Sequence, residues 1–144
     1  MKTRIRLLEE QDIEACVAIC EMNFAGSDYR YDVLHALRSH FAEGSIVKPE
    51  YVVFDDNGMI KGVAGFSRTV FDSGVFGLFM CYVHPDFQNE GIGRALTEVR
   101  IEMIREKGGL SVLSTTRKMW HLERFGFQPI ATPYSDWHIM QLIL

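Results

Sequence analysis

Residues Phe79 to Arg94 read Phe-Met-Cys-Tyr-Val-His-Pro-Asp-Phe-Gln-Asn-Glu-Gly-Ile-Gly-Arg, and they constrain the rest of the chain more than any other stretch. An apolar run of strand type meets His84-Pro85, a short polar turn follows, and Gln88-x-x-Gly91-x-Gly93 then opens a long amphipathic helix. The N–H groups of a first helical turn have no intrahelical acceptors, and the helix dipole adds positive potential there. A strand, a turn of phosphate size and a helix N-terminus therefore suit an anion such as pyrophosphate, with glycines letting the backbone come close. Gln-x-x-Gly-x-Gly alone is a loose pattern, and a tight connection with glycines kept for packing is the competing reading. A dinucleotide fold would place Gly-x-Gly-x-x-Gly near the chain start with an acidic residue about 20 further on, and neither is present.

Around this stretch the sequence reads as one domain. Its 144 residues suffice for a core without staples, and 47% apolar with 24% charged residues excludes disorder and coiled coil. The balance of 15 basic against 19 acidic residues gives no support to nucleic-acid binding. No run approaches membrane-spanning length, and Met1 to Arg6 leads into Leu7-Leu8-Glu9-Glu10 rather than an apolar signal core, so a cytoplasmic protein is expected. Cys16, Cys20 and Cys81 are an odd number and read as buried reduced thiols; their spacing does not suit zinc, and no metal is expected.

Taken in order, Thr3 to Leu8 reads as a strand and Asp12 opens a helix with Ile13, Cys16, Val17, Cys20 and Phe24 at helical spacing. Gly26-Ser27-Asp28 breaks it, and a second helix covers Tyr31 to Ala42. Between them Asn23, Asp28, Tyr29 and Tyr31 suit a substrate-facing wall as well as a solvated loop. Tyr51 to Phe54 and Ile60 to Thr69 form a hairpin in which Gly62 and Gly65 permit close approach or a bulge, and Val75 to Val83 reads as a central strand. The helix after the glycines presents Ile92, Leu96, Val99 and Met103, with Arg100, Glu102, Arg105 and Glu106 largely outside that face. Leu110 to Leu113 is expected as a strand, Arg117 to Phe125 as a helix, and Phe127 to Ala131 and Trp137 to Leu144 as closing strands. This order makes an α/β domain with a mixed sheet.

The segment Val83 to Leu96 resembles the signature of the GNAT superfamily of acetyl-CoA-dependent N-acetyltransferases. Glu123-Arg-Phe-Gly-Phe127 is similar to a second motif of that family, and Met140 to Leu144 to its last strand. The resemblance implies a mostly antiparallel sheet of about six to seven strands with about four helices, of the acyl-CoA N-acyltransferase type. It implies acetyl-CoA as co-substrate and a primary amine as acceptor, read here as one of a small molecule; protein or peptide acetylation and acyl-CoA binding without turnover are the alternatives. Cys81, Tyr82 and Val83 would flank the pantetheine arm, and Gln88, Asn89, Glu90, Gly91, Ile92, Gly93 and Arg94 would hold the pyrophosphate. The family's acid tyrosine falls on Leu122, leaving His121 as candidate acid. Tyr82, Cys81, His84 and Asp28 are candidate bases, with a water relay as an equal contender. Ser114-Thr-Thr-Arg117 is similar in layout to domains that acetylate amino acids, which makes Arg117, with Asp28 and Tyr29, a candidate for the acceptor. The oligomeric state stays open, a homodimer included.

Overall fold

Strand patterns from both ends of the chain meet in one sheet. In a computed structural model, which describes residues 4–23, 30–44 and 47–144, seven strands lie in the order β1-β2-β3-β4-β5-β7-β6. They are β1 (Ile5–Leu7), β2 (Glu50–Asp56), β3 (Met59–Arg68), β4 (Val75–Val83), β5 (Ser111–Thr116), β6 (Gln128–Tyr134) and β7 (Trp137–Ile143). All neighbours are antiparallel except β4 and β5. The helices are α1 (Ile13–Asn23), α2 (Arg30–Arg38), α3 (Ile92–Glu106) and α4 (Met119–Glu123). The expected mixed, mostly antiparallel architecture is the one observed.

Alternation along β2 and β3 sorts their side chains between two cores. Tyr51, Val53 and Val63 pack with Cys16, Val17, Ile19, Cys20, Val33 and Leu37 of α1 and α2. Val52, Ala64 and Phe66 face the other way, onto Ile92, Leu96, Ile101 and Ile104 of α3. Strands covered on both faces are apolar throughout, which is why β3 and β4 lack a polar side. At Gly62 an added Cβ would lie 3.0 Å from Leu96 Cδ1, so this glycine lets α3 settle on the sheet.

Several boundaries differ from the sequence reading. Asp12 does not open α1 but closes a 3-10 turn, Glu10–Asp12, before it. Its carboxylate accepts from the Glu9 N–H at 2.8 Å and from Arg6 at 2.7 and 3.0 Å. The second helix ends at Arg38 and continues as the 3-10 turn Ser39–Phe41. There the buried His40 ring accepts the Tyr51 N–H at Nδ1, 2.9 Å away. The strand expected at Leu110 starts at Ser111, because the Gly74 carbonyl accepts the N–H of both residues and leaves the Leu110 side chain exposed. The helix expected from Arg117 shortens to α4, since the Lys118 N–H is taken by Thr116 Oγ1 and the Leu122 carbonyl accepts from Phe125 and Phe127.

The largest correction concerns α3. Its buried residues are Ile92, Leu96, Thr97, Arg100, Ile101 and Ile104, while Val99 and Met103 are only half-buried. Arg100, expected outside the apolar face, is 2% exposed. It stands in the row 92, 96, 100, 104, one helical turn apart at each step, and survives there because backbone carbonyls of the sheet accept its protons.

Candidate functional site

The site begins where β4 and β5 separate. Their parallel ladder covers Val75, Phe76 and Gly77 opposite Ser111, Val112 and Leu113, and stops. Ser114 Oγ donates to the Leu78 carbonyl at 3.4 Å where the ladder ends. From there β5 stays with β7 as far as Thr116, while β4 runs on to Val83 beside β3 alone. The inner edge of Phe79–Val83 is thus a strand edge inside the sheet, open to an extended ligand.

A bulge aims that edge. Gly65 pairs with Phe79 and Val63 with Tyr82, so Ala64 stands opposite two residues, Met80 and Cys81. Met80 takes a left-handed conformation, φ +50°, as one extra residue in a strand can require. Phe79 and Met80 consequently pack on the same side, against the α1 and α2 core, as does Tyr82. The phase of the strand is shifted, and Cys81 and Val83 turn toward α3. A Cβ at Gly93 would lie 3.8 Å from Val83 Cγ2 and 4.0 Å from Cys81 Sγ.

The turn after β4 is rigidly specified. Pro85–Phe87 form a 3-10 turn whose cap is His84, with Nδ1 accepting the Asp86 N–H at 3.1 Å. That bond engages the lone pair a base would need and leaves the proton of neutral imidazole on Nε2. Asn89 at φ +65° and Gly91 at φ +86° are both left-handed. An added Cβ at Gly91 would meet nothing within 4 Å, so the conformation and not crowding calls for glycine there. The first helical acceptor is the Gly91 carbonyl, which takes the Ala95 N–H at 3.0 Å; the N–H groups of Ile92, Gly93 and Arg94 precede it. Arg94 and Glu90 are exposed beside them, Arg94 bonded to Glu98 at 3.2 Å.

Two amides lock this end of β4 to α1. Asn23 Nδ2 donates to the Val83 carbonyl at 3.1 Å, and Gln88 Nε2 donates to the same carbonyl at 3.3 Å and to Asn23 Oδ1 at 3.2 Å. The Gln88 side chain therefore braces the site through Asn23, which the sequence assigns to the polar segment between the helices and which the structure places at the end of α1.

The remaining candidates stand further off. Asp28 and Tyr29 lie outside the described residues. Arg117, at the end of β5, is exposed, 3.5 Å from Asp136 and stacked over Trp137 at 4.8 Å. His121 is exposed on α4 against Trp120. Partial burial, then the cations Lys118 and Arg124, hold its imidazole below the usual range, which favours the neutral ring at pH 7. Leu122 packs on the α3-side core. Among the described residues no group of three or more His, Cys, Asp and Glu could hold a metal ion, and no helix is long and apolar enough to cross a membrane.

The geometry can be set against known proteins. A search of curated proteins finds no match. Among solved structures, a candidate GNAT-family acetyltransferase from Desulfovibrio desulfuricans superposes with TM-score 0.84 at 20% identity, over 96% of this chain and 97% of its own. The PaiA N-acetyltransferase of Thermoplasma acidophilum, in complex with coenzyme A, gives 0.77 at 15% identity over 100% of both chains. A ribosomal-protein-alanine N-acetyltransferase from Brucella melitensis gives 0.78 at 19% identity, over 97% and 99%. These likenesses establish the fold. The family model described as "Acetyltransferase (GNAT) domain" matches residues 48–129, more than half of the chain and all of the site from the bulge to α4. The chain therefore belongs to the GNAT family of acetyltransferases, as the segment from Val83 to Leu96 implied.

Proposed function

We propose that this acetyltransferase moves the acetyl group of acetyl-CoA onto a primary amine of a small molecule, within the single domain formed by these residues. The observation that carries the reading is the open inner edge of β4 ending in a turn whose backbone is left-handed at Asn89 and Gly91. The N–H groups of residues 92 to 94 would hold the pyrophosphate, with Arg94 adding charge, and the edge at Cys81 and Val83 would take the pantetheine. The amine nitrogen attacks the thioester carbon, the carbon–sulfur bond breaks and the amide forms. The amine, whose ammonium form has a pKa of about 10.4, loses one proton before attack and a second as the amide forms, and the departing thiolate gains one. Tyr82 beside the cleft, or water, relays the protons leaving nitrogen; His121 or water supplies the one that reaches sulfur. His84 serves this reading as the cap of the turn.

Arg117 supports a carboxylate-bearing acceptor such as an amino acid, because its guanidinium is exposed, stacked over Trp137 and paired with the exposed Asp136 at 3.5 Å. Acetylation of a protein or peptide amine is the second reading, favoured by the likeness to the ribosomal-protein-alanine N-acetyltransferase of Brucella melitensis. Calorimetric titration with acetyl-CoA tests the donor, and absence of binding by the folded protein would overturn the proposal. Thiol release across amines, amino acids and peptides then separates the acceptors: turnover confined to peptides would replace the first reading by the second.

A further inference from the structure

Arg100 is a buried cation that the acyl-transfer chemistry above does not use. Its guanidinium donates through Nη1 to the Gly65 carbonyl at 2.9 Å and the Phe79 carbonyl at 3.4 Å. Nε donates to the Leu96 carbonyl at 3.2 Å and Nη2 to Thr97 Oγ1 at 3.1 Å. Thr97 Oγ1 in turn donates to the Gly93 carbonyl at 3.0 Å. Every hydrogen-bond partner of the guanidinium among the described residues is thus a carbonyl or a hydroxyl, and burial, opposed by Cys81, pushes it below its ordinary pKa.

The places it joins are specific. Gly65 and Phe79 form the last regular pair before the β4 bulge. Gly93 lies in the first turn of α3, where an added Cβ would stand 3.8 Å from Val83 Cγ2 and 4.0 Å from Cys81 Sγ. An apolar residue in the row of Ile92, Leu96 and Ile104 would fill the space but could not bond carbonyls where the ladder changes register. Arg100 supplies a planar fork that reaches both strands while its helix neighbour Thr97 carries the connection to the glycine turn.

We propose that Arg100 is a positioning residue for the donor site: it fixes the β4 bulge relative to the first turn of α3, and so holds the two halves of the CoA-binding surface in register. The inference rests on the CoA reading above. Its consequence is a selective one, because neither the acceptor candidate Arg117 nor any residue of α1 and α2 is among the described hydrogen-bond partners of Arg100.

The test uses the full chain, CoA as probe, and the variants Arg100→Met, Arg100→Lys and Thr97→Val. Wild-type protein is titrated first; if it binds no CoA, the reading of the donor site fails and this inference with it. If it binds, Arg100→Met should lower CoA affinity at least tenfold and raise KM for acetyl-CoA while leaving KM for the acceptor within twofold. Amide exchange should quicken at Phe79–Val83 and not in β6 and β7. Arg100→Lys, which keeps the cation and part of the bonding, should recover at least half of the loss on a logarithmic scale. Should Arg100→Met melt below the assay temperature, Thr97→Val carries the test, with an expected three- to tenfold loss of CoA affinity. Unchanged CoA affinity in the folded variant, or equal rises in both KM values, would overturn the positioning role while leaving the donor reading intact.

Discussion

His40 shows how one side chain can couple this fold to pH. It is 8% exposed, and its Nδ1 accepts the Tyr51 N–H at the start of the central hairpin. Burial, then Lys48, lowers its pKa from 6.5, and Glu50 opposes them weakly. The folded ring therefore binds a proton less readily than the unfolded one. Stability is fully present above the unfolded value and is lost as pH falls from about 6.5 toward the folded value. Protonation would also convert the Nδ1 acceptor into a donor facing an N–H. The urea midpoint should decline between pH 7 and pH 5, and His40→Asn, whose amide oxygen can accept the same N–H, should flatten that decline. His121 shifts in the same direction and leaves a residual slope. An unaltered pH dependence in the Asn variant would exclude His40 as its source.

At the scale of elements, the turn from β4 into α3 depends on backbone conformation more than on packing. Gly91 at φ +86° has open space where a Cβ would go, so a substitution there meets conformational strain and no clash. Gly91→Val should cost about 1–3 kcal/mol of stability, the range for a branched residue forced left-handed, and lower CoA affinity more than tenfold by displacing the N–H groups that follow. Equal affinity by titration would remove the turn from the donor site. This element was legible in sequence because its signals are local: an apolar run, His84-Pro85, and glycines just before a periodic helix. The bulge was not, because it is a mismatch of register between two strands, and Met80 looks like any other core residue until Ala64 is placed opposite it. Arg100 was misread because charge on a helix normally faces water; the signal available was its place in an i, i+4 row with Ile92, Leu96 and Ile104. The start of β5 was missed because the Gly74 carbonyl sets it, and Gly74 is distant in sequence.

Across the whole molecule, one sheet is shared by two cores. Adjacent residues Val52 and Val53 on β2 point into opposite layers, and so do Val63 and Ala64 on β3. A cavity on either face therefore loosens the same strands, and the two layers should melt together. Ile19 and Ile104 are buried in the separate layers, at 2% and 0% exposure. Ile19→Ala and Ile104→Ala should each cost about 2–5 kcal/mol, and both should lower one cooperative transition. The chain's two tryptophans make the comparison direct. Trp120 on α4 and Trp137 on β7 lie on elements other than α1, which carries Ile19. In Ile19→Ala the midpoint followed by tryptophan fluorescence should fall as far as that followed by far-ultraviolet circular dichroism. A fluorescence midpoint that stays at the wild-type value while the dichroism midpoint falls would mean that β5 to β7 unfold separately, and the single-domain reading would have to be replaced by two cooperative units meeting at the β4–β5 cleft.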